Sequence, residues 1–173
     1  MTMNRNHPPP ADPTAVLKLF RVIFQSVNRH SHEVERKAGI GGAQLWALAE
    51  IGGRPRITVT ELAKSLSIHQ STASNLLDKL AGQDYIARDR GEADRRVVFL
   101  TLTSRGEDLL RKAPLPHRGV LSDALFKMSE TDLAALQQNL ETLLAQLEFK
   151  QLKGAYEPVG EDLTPTKPAS RRG

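Results

Sequence analysis

The spacing of apolar residues predicts a mostly helical chain with one short β-hairpin near its middle. Apolar side chains recur at helical intervals in two short segments, residues 62–66 and 73–80, which a tight link joins. The pattern then changes to that of strands at residues 85–86 and 97–102. Two helices joined by a turn and followed by a two-stranded hairpin form a winged helix. The predicted fold class is therefore mainly α (α+β), with a winged helix-turn-helix core at residues 43–103.

Longer helical patterns flank this core, at residues 14–37 and 104–150, and we expect both to serve dimerisation. The first carries one apolar stripe: Val16, Phe20, Ile23, Val27, His30 and Val34. Pro114 and Pro116 are expected to break or bend the second pattern, because proline removes an amide donor and clashes with the preceding turn. Residues 129–148 hold leucines at helical spacing, four acids and neither Lys nor Arg. This last helix is expected to pack on the first helix and on a second subunit, giving a homodimer.

Composition narrows the class of protein without identifying a partner. The chain has 173 residues, 39% hydrophobic and 25% charged, which suits one domain of ordinary size with its own core. No run reaches the ~20 apolar residues of a membrane span, and no cysteine is present. We therefore expect a cytoplasmic protein without disulfides, metal or cofactor. Residues 1–13 are expected to form a disordered arm and residues 151–173 a disordered tail.

The second helix of the helix-turn-helix has the residue types that a major-groove helix needs. It is expected to begin near Gln70, with His69 at its N-cap, after a first helix that Thr58 and Glu61 start as a capping box. Amide side chains can bond two edges of adenine, hydroxyls bond bases or phosphates, and lysine neutralises phosphate. An ordinary solvent-exposed face could hold the same residues, so the neighbouring basic hairpin strengthens the case. The DNA-binding candidates here are Thr58, His69, Gln70, Ser71, Thr72, Ser74, Asn75 and Lys79.

The hairpin supplies further candidates, although it is not a simple polybasic patch. Residues 86–96 contain four arginines and three acids, a net charge of 4 − 3 = +1. Arginine suits the minor groove, where a narrow groove concentrates negative potential. The candidates are Arg88, Arg90, Asp94, Arg95 and Arg96. Spacing leaves open which arginines brace the fold and which reach DNA.

Two residues are candidates for lining a small-molecule site. His30 lies on an apolar stripe, where a core or interface histidine with one hydrogen bond is the commoner case. Trp46 is the sole tryptophan, and a tryptophan in such a position more commonly packs in the core than lines a ligand pocket. Both nevertheless lie where the long helices should meet the winged helix, so they are the ligand-binding candidates. Neither a nucleophile–base set nor a phosphate loop is visible in the sequence, and we expect no enzymatic activity.

The sequence resembles the MarR-type transcriptional regulators from about residue 14 to residue 148. The motif Asp94-Arg95-Arg96, followed by LTLTSRG at residues 100–106, is specific to that family among winged helices. The resemblance implies a triangular homodimer that binds palindromic operators, usually as a repressor that small phenolic or other aromatic acids release. It also implies roles for individual residues. Gln70, Ser71, Ser74, Asn75 and Lys79 would face the groove, Asp94 and Arg96 would form the paired wing residues, and Arg90 or Arg95 would approach the minor groove.

Three features differ from the family pattern. One is the absence of cysteine, which excludes the family's peroxide-sensing branch. His69 replaces the usual Ser or Thr before the recognition helix, which weakens the cap unless the imidazole bonds elsewhere. Pro114 and Pro116 interrupt what is usually one long helix. The leading hypothesis is a homodimeric, sequence-specific DNA-binding regulator, a repressor released by a small ligand. The alternatives are an architectural protein with little sequence preference and a protein-interaction module.

Overall fold

Seven helices and three strands occupy the part of the chain that the computed structural model describes, residues 12–91, 97–148 and 156. In chain order they are α1 (Pro13–Ala38), α2 (Gly42–Gly53), β1 (Ile57–Thr58), α3 (Val59–Leu66), α4 (Gln70–Gly82), β2 (Ile86–Arg90), β3 (Val98–Leu102), α5 (Ser104–Lys112), α6 (Val120–Lys127) and α7 (Glu130–Ala145). The predicted class, mainly helical with a small β component, is confirmed.

Polar side chains and a glycine cap the ends of several helices. The Asp12 carboxylate accepts hydrogen bonds from the amides of Thr14 and Ala15, at 2.9 and 3.2 Å, so α1 starts within what was the last part of the predicted arm. Gly39 ends α1 with φ of 69°, a left-handed conformation that glycine adopts without penalty. The Thr103 hydroxyl accepts from the Gly106 amide at 3.1 Å and caps α5. The rest of the predicted arm and almost all of the predicted tail lie outside the described residues.

The sheet has one strand more than the predicted hairpin. β2 and β3 pair antiparallel, from Ile86 opposite Leu102 to Arg90 opposite Val98. β1 adds to the other side of β3, with Ile57 opposite Leu100, so the strand order is β1-β3-β2. Two residues are too short to show an alternating pattern, which is why the sequence did not reveal β1. Its position carries the chain directly from the sheet into α3.

The buried core lies inside the winged helix rather than between the long helices. Its largest fully buried side chains are Leu45, Leu48, Ile51, Leu62, Leu77, Leu80, Leu100 and Val34. They come from α2, α3, α4, β3 and the last part of α1, and each stabilises the fold by about 1.5–3 kcal/mol through burial. Because α2, α3 and the sheet all pack on the buried side of α4, the opposite side of that helix is held outward.

The remaining helices leave much of their apolar surface uncovered. After α5 the chain breaks in the proline-containing segment, as predicted, and resumes as α6 and α7. The side chains of Val16 in α1 and Leu143 in α7 remain 48% and 43% exposed, and other apolar residues of both helices are comparably open. No helix in the described ranges is both long and apolar enough to cross a membrane.

Candidate nucleic-acid interface

Helix α4 presents a polar face because four apolar residues fix its orientation. Its buried residues are Ala73, Leu76, Leu77 and Leu80, all turned towards α2, α3 and the sheet. On the opposite side Gln70, Ser71, Asn75, Asp78 and Lys79 are exposed, while Thr72 and Ser74 are half-buried. The Ser74 hydroxyl donates to the Gln70 carbonyl at 2.9 Å, within the helix. The structure confirms the predicted amphipathic helix, and its role in reading DNA stays a prediction.

The first turn of α4 has no side-chain cap. His69 occupies the N-cap with an extended backbone (φ −64°, ψ 148°), but its imidazole makes no hydrogen bond to the amides that follow. The amides of a first helical turn have no partner within the helix, and the helix dipole adds partial positive charge there. This end of α4 can therefore accept an anion such as a DNA phosphate.

Thr58 holds the start of the helix-turn-helix in place. Its hydroxyl donates to the Glu61 carboxylate at 2.7 Å and accepts from the Glu61 amide at 3.3 Å, and the same carboxylate accepts from the Thr58 amide at 2.8 Å. The hydroxyl and amide of Thr58 lower the pKa of Glu61 below its ordinary value. The predicted capping box is thus confirmed, and the Thr58 hydroxyl is engaged within the protein.

One wing arginine ties the wing to the recognition helix. The Arg88 guanidinium donates to the Asp78 carboxylate at 2.7 Å, joining β2 to α4. Both side chains are substantially exposed, so the pair adds at most about 1 kcal/mol to stability. Its effect is positional, because it sets the wing against the polar face of α4. Arg88 therefore braces the wing against α4, a role that the spacing of the arginines in the sequence left open.

Arg88 and Arg90 both line the groove that separates the wing from α4. This groove has a volume of about 370 Å³, and its other lining residues are Val59, Ser74, Leu77 and Val98. The structure thus brings together three of the predicted DNA-binding residues, Ser74 from the helix and two arginines from the wing. The remaining wing candidates, Asp94, Arg95 and Arg96, lie outside the described residues.

Arg56 is a basic residue beside the wing that the sequence reasoning did not single out. Its guanidinium lies over the Phe99 ring, 4.2 Å from the centroid, on the strand that β1 and β2 flank. Its φ of 66° is left-handed, which is uncommon for a side-chain-bearing residue. The amide of Arg56 bonds the Leu100 carbonyl at 3.1 Å, and this bond holds the turn against β3. β1 and β3 are far apart in the sequence, and their pairing is what brings Arg56 over the Phe99 ring.

The two predicted ligand-binding residues line one cavity between α1, α2, α6 and the α3–α4 turn. Its volume is about 300 Å³. The imidazole of His30 is buried and hydrogen-bonds the Pro116 carbonyl at 3.1 Å, and the Trp46 indole donates to Glu50 at 3.2 Å. The core interpretation of His30, with one hydrogen bond, and its place at the cavity wall are therefore compatible. A wider depression of about 480 Å³, between α2, β3 and α5, contains neither residue in its lining.

The cavity that contains His30 and Trp46 is also lined by His117 and Arg118. The sequence reasoning had singled out neither of these two. The Arg118 guanidinium lies 4.6 Å from the centroid of the Phe126 ring, on the α5–α6 connection. Burial lowers the pKa of His117 below its ordinary value, a hydrogen bond with the Ala113 backbone opposes that shift, and His30 adds to it. Pro114 and Pro116 predicted a break in the helix, but they did not predict that the connection between α5 and α6 would turn towards this cavity. Within the described ranges, no group of three His, Asp or Glu residues is arranged to hold a metal ion.

Comparison with known proteins agrees with this architecture. The MarR family model matches residues 38–97, which run from the end of α1 into the wing. The organic hydroperoxide resistance transcriptional regulator of Bacillus subtilis (strain 168) is 32% identical over 114 residues, 66% of this chain and 76% of its own length. The HTH-type transcriptional repressor MdtR of the same organism is 26% identical over 113 residues, 65% of this chain and 73% of its own.

A solved structure extends the similarity to about three quarters of the chain. The crystal structure of Streptococcus pneumoniae FabT in complex with DNA is 28% identical, with a TM-score of 0.53, over 76% of this chain and 94% of that one. The matched family, the relatives and this fold all indicate a winged-helix regulator rather than an enzyme. The chain belongs to the MarR family of DNA-binding transcriptional regulators.

Proposed function

We propose that the protein is a homodimeric, sequence-specific transcriptional repressor that binds a palindromic operator and is released by a small aromatic acid. The observation that carries this proposal is the groove between α4 and the wing, in which Ser74, Arg88 and Arg90 meet. A basic wing beside an exposed polar helix is suited to DNA, because the helix can read base edges while the wing binds the backbone or minor groove. In this arrangement Gln70, Ser71, Asn75 and Lys79 face the major groove.

The uncovered helices support the homodimer. Apolar residues that remain more than a third exposed in α1, in α7 and just after α7 include Val16, Leu17, Val22, Phe24, Leu133, Leu140, Leu143, Leu144 and Leu147. Exposed apolar residues concentrated on two helices are typical of an interface. Two copies joined through these helices would hold two winged helices at a fixed distance. This geometry fits inverted half-sites about one helical turn apart.

Selection of genomic fragments by the purified protein, followed by footprinting of the enriched fragments, tests the proposal directly. We expect a protected inverted repeat and an affinity at least ~10³-fold higher than for random DNA. A ratio near one would instead support the architectural alternative. Failure to enrich any fragment would point to a protein partner.

Asn75→Ala is expected to weaken operator binding by roughly 5- to 150-fold, because one bidentate base contact contributes about 1–3 kcal/mol of discrimination. Binding to random DNA should change little, since that binding depends on phosphate contacts. Arg96→Ala, in the wing, should weaken binding as well. Fluorescence anisotropy with the selected fragment measures both effects.

Gln138→Ala is the matched control, because Gln138 is an exposed polar residue on α7. Its operator affinity should equal that of the unsubstituted protein. The proposed docking of α4 is wrong if Asn75→Ala and Arg96→Ala both leave affinity and specificity unchanged in folded dimers.

The cavity beside α6 is the proposed effector site. An aromatic acid could place its ring among the apolar walls near Trp46 and its carboxylate next to the Arg118 guanidinium. Because α1 and α6 belong to the dimer base and the α3–α4 turn to the DNA-binding unit, an occupant would change their relative position. A ligand that prefers the released state by ~5.5 kcal/mol would shift a two-state equilibrium almost completely.

Benzoate serves as a probe of this site, because Trp46 is the sole tryptophan and its fluorescence reports on the cavity. Titration should change the Trp46 emission, and Arg118→Gln should raise the benzoate Kd about tenfold through loss of a charge-assisted pair. Arg111→Gln is the control, since Arg111 is exposed and paired with Asp108 on α5. Equal Kd values for the two variants, or no change in emission, would contradict the assignment.

A further inference from the structure

An aromatic ring from beyond α7 lies on the residue that begins the recognition helix. The Tyr156 ring centroid is 4.4 Å from that of the His69 imidazole, and the two planes are inclined by 35°. This is the contact that the imidazole makes in place of a capping hydrogen bond. Rings at this separation attract each other by more than the burial of their surface alone.

The position of this ring pair matters because the first turn of α4 is open at the same place. The amides of Gln70, Ser71 and Thr72 follow His69 directly, and the imidazole satisfies none of them. An approaching phosphate would come to this end of the helix, where the dipole and the uncapped first-turn amides favour negative charge. His69 is exposed and Tyr156 remains 50% exposed, so the ring pair stands on the surface rather than in the core.

We propose that Tyr156 restrains DNA binding by docking on His69, so that this ring acts as an autoinhibitory contact at the recognition helix. This inference rests on the DNA-binding function proposed above. In the DNA-free protein the Tyr156 ring lies on His69, the residue that begins α4. Bound DNA requires that place, and the ring pair must separate first. Breaking the contact costs free energy, and this cost lowers the observed affinity for DNA.

Tyr156→Ala tests the restraint, and Tyr156→Phe is the matched control because it keeps the ring and removes only the hydroxyl. We expect Tyr156→Ala to lower the DNA Kd by about 2- to 10-fold, equivalent to about 0.4–1.4 kcal/mol. Tyr156→Phe should keep the Kd of the unsubstituted protein. Since Tyr156 would compete with phosphate rather than with a base edge, random DNA should gain as much as the selected operator. A Kd that is unchanged or raised in Tyr156→Ala overturns the proposal, and a raised Kd in both variants would make the hydroxyl a DNA contact.

The contact is also measurable without DNA, which separates this inference from the proposed function. The His69 ring protons should be shifted upfield by Tyr156 in the proton NMR spectrum, should return towards ordinary values in Tyr156→Ala and should stay shifted in Tyr156→Phe. Addition of the selected fragment should abolish the shift in the unsubstituted protein. Should no DNA bind at all, the proposed function fails while the ring-proton shift still reports on the contact. Should DNA bind with the upfield shift intact, the restraint is refuted and the proposed function stands.

Discussion

Leu143→Asp is expected to dissociate the proposed homodimer and to weaken operator binding by roughly 100-fold or more. Leu143 lies on the leucine stripe of α7 and is 43% exposed in the single chain, so the substitution costs the folded protomer little. In the dimer the same carboxylate would be buried against apolar side chains without a partner, which is strongly unfavourable. A single protomer can bind only one half-site, so it loses the gain in affinity that a second, linked half-site provides.

Sedimentation equilibrium measures the dissociation, and circular dichroism confirms that the protomer remains folded. Gln138→Asp is the control, because it adds the same charge to α7 at a polar, exposed position. This control should remain dimeric and bind the operator as before. A Leu143→Asp protein that stays dimeric would show that the apolar face of α7 is not the interface.

Gly106→Ala is expected to lower the free energy of unfolding by about 3 kcal/mol, at the upper end for an overpacked site. A Cβ at Gly106 would lie 2.0 Å from the carbonyl oxygen of Tyr85 and 3.0 Å from its carbonyl carbon. Both are backbone atoms, so no side-chain rotation can relieve the clash. The same oxygen accepts a hydrogen bond from the Thr103 amide at 3.1 Å, so any shift also disturbs the junction between β3 and α5. Urea denaturation measures the loss.

Gly82→Ala is the matched control at the end of α4. A Cβ there would meet no atom within 4 Å, and the backbone of Gly82 is helical. This variant should be as stable as the unsubstituted protein or more stable by up to about 1 kcal/mol, because alanine loses less conformational freedom than glycine. Equal urea midpoints for Gly106→Ala and the unsubstituted protein would mean that α5 does not pack this closely on the start of β2.

Local signals in the sequence were sufficient to place the helices and the recognition face. Thr58 with Glu61 starts α3 at the predicted residue, and Thr103 and Gly39 are likewise local signals at the start of α5 and the end of α1. The start of α4 at Gln70 agrees with prediction because its apolar residues recur at helical spacing and the chain turns just before this residue. These features depend on residues that are within about four positions of each other, and such interactions are visible in a linear sequence.

Contacts between distant segments required the folded structure. The pairing of β1 with β3, the bond from Arg88 to Asp78 and the place of Arg118 beside the cavity all join residues that no periodic pattern links. The same holds for the ring of Tyr156 on His69. Helix type, limits and polar faces follow from short-range backbone hydrogen bonds and side-chain spacing. Which arginine braces the wing, which cation lines the cavity and which ring lies on His69 follow from how the helices and the sheet pack in three dimensions.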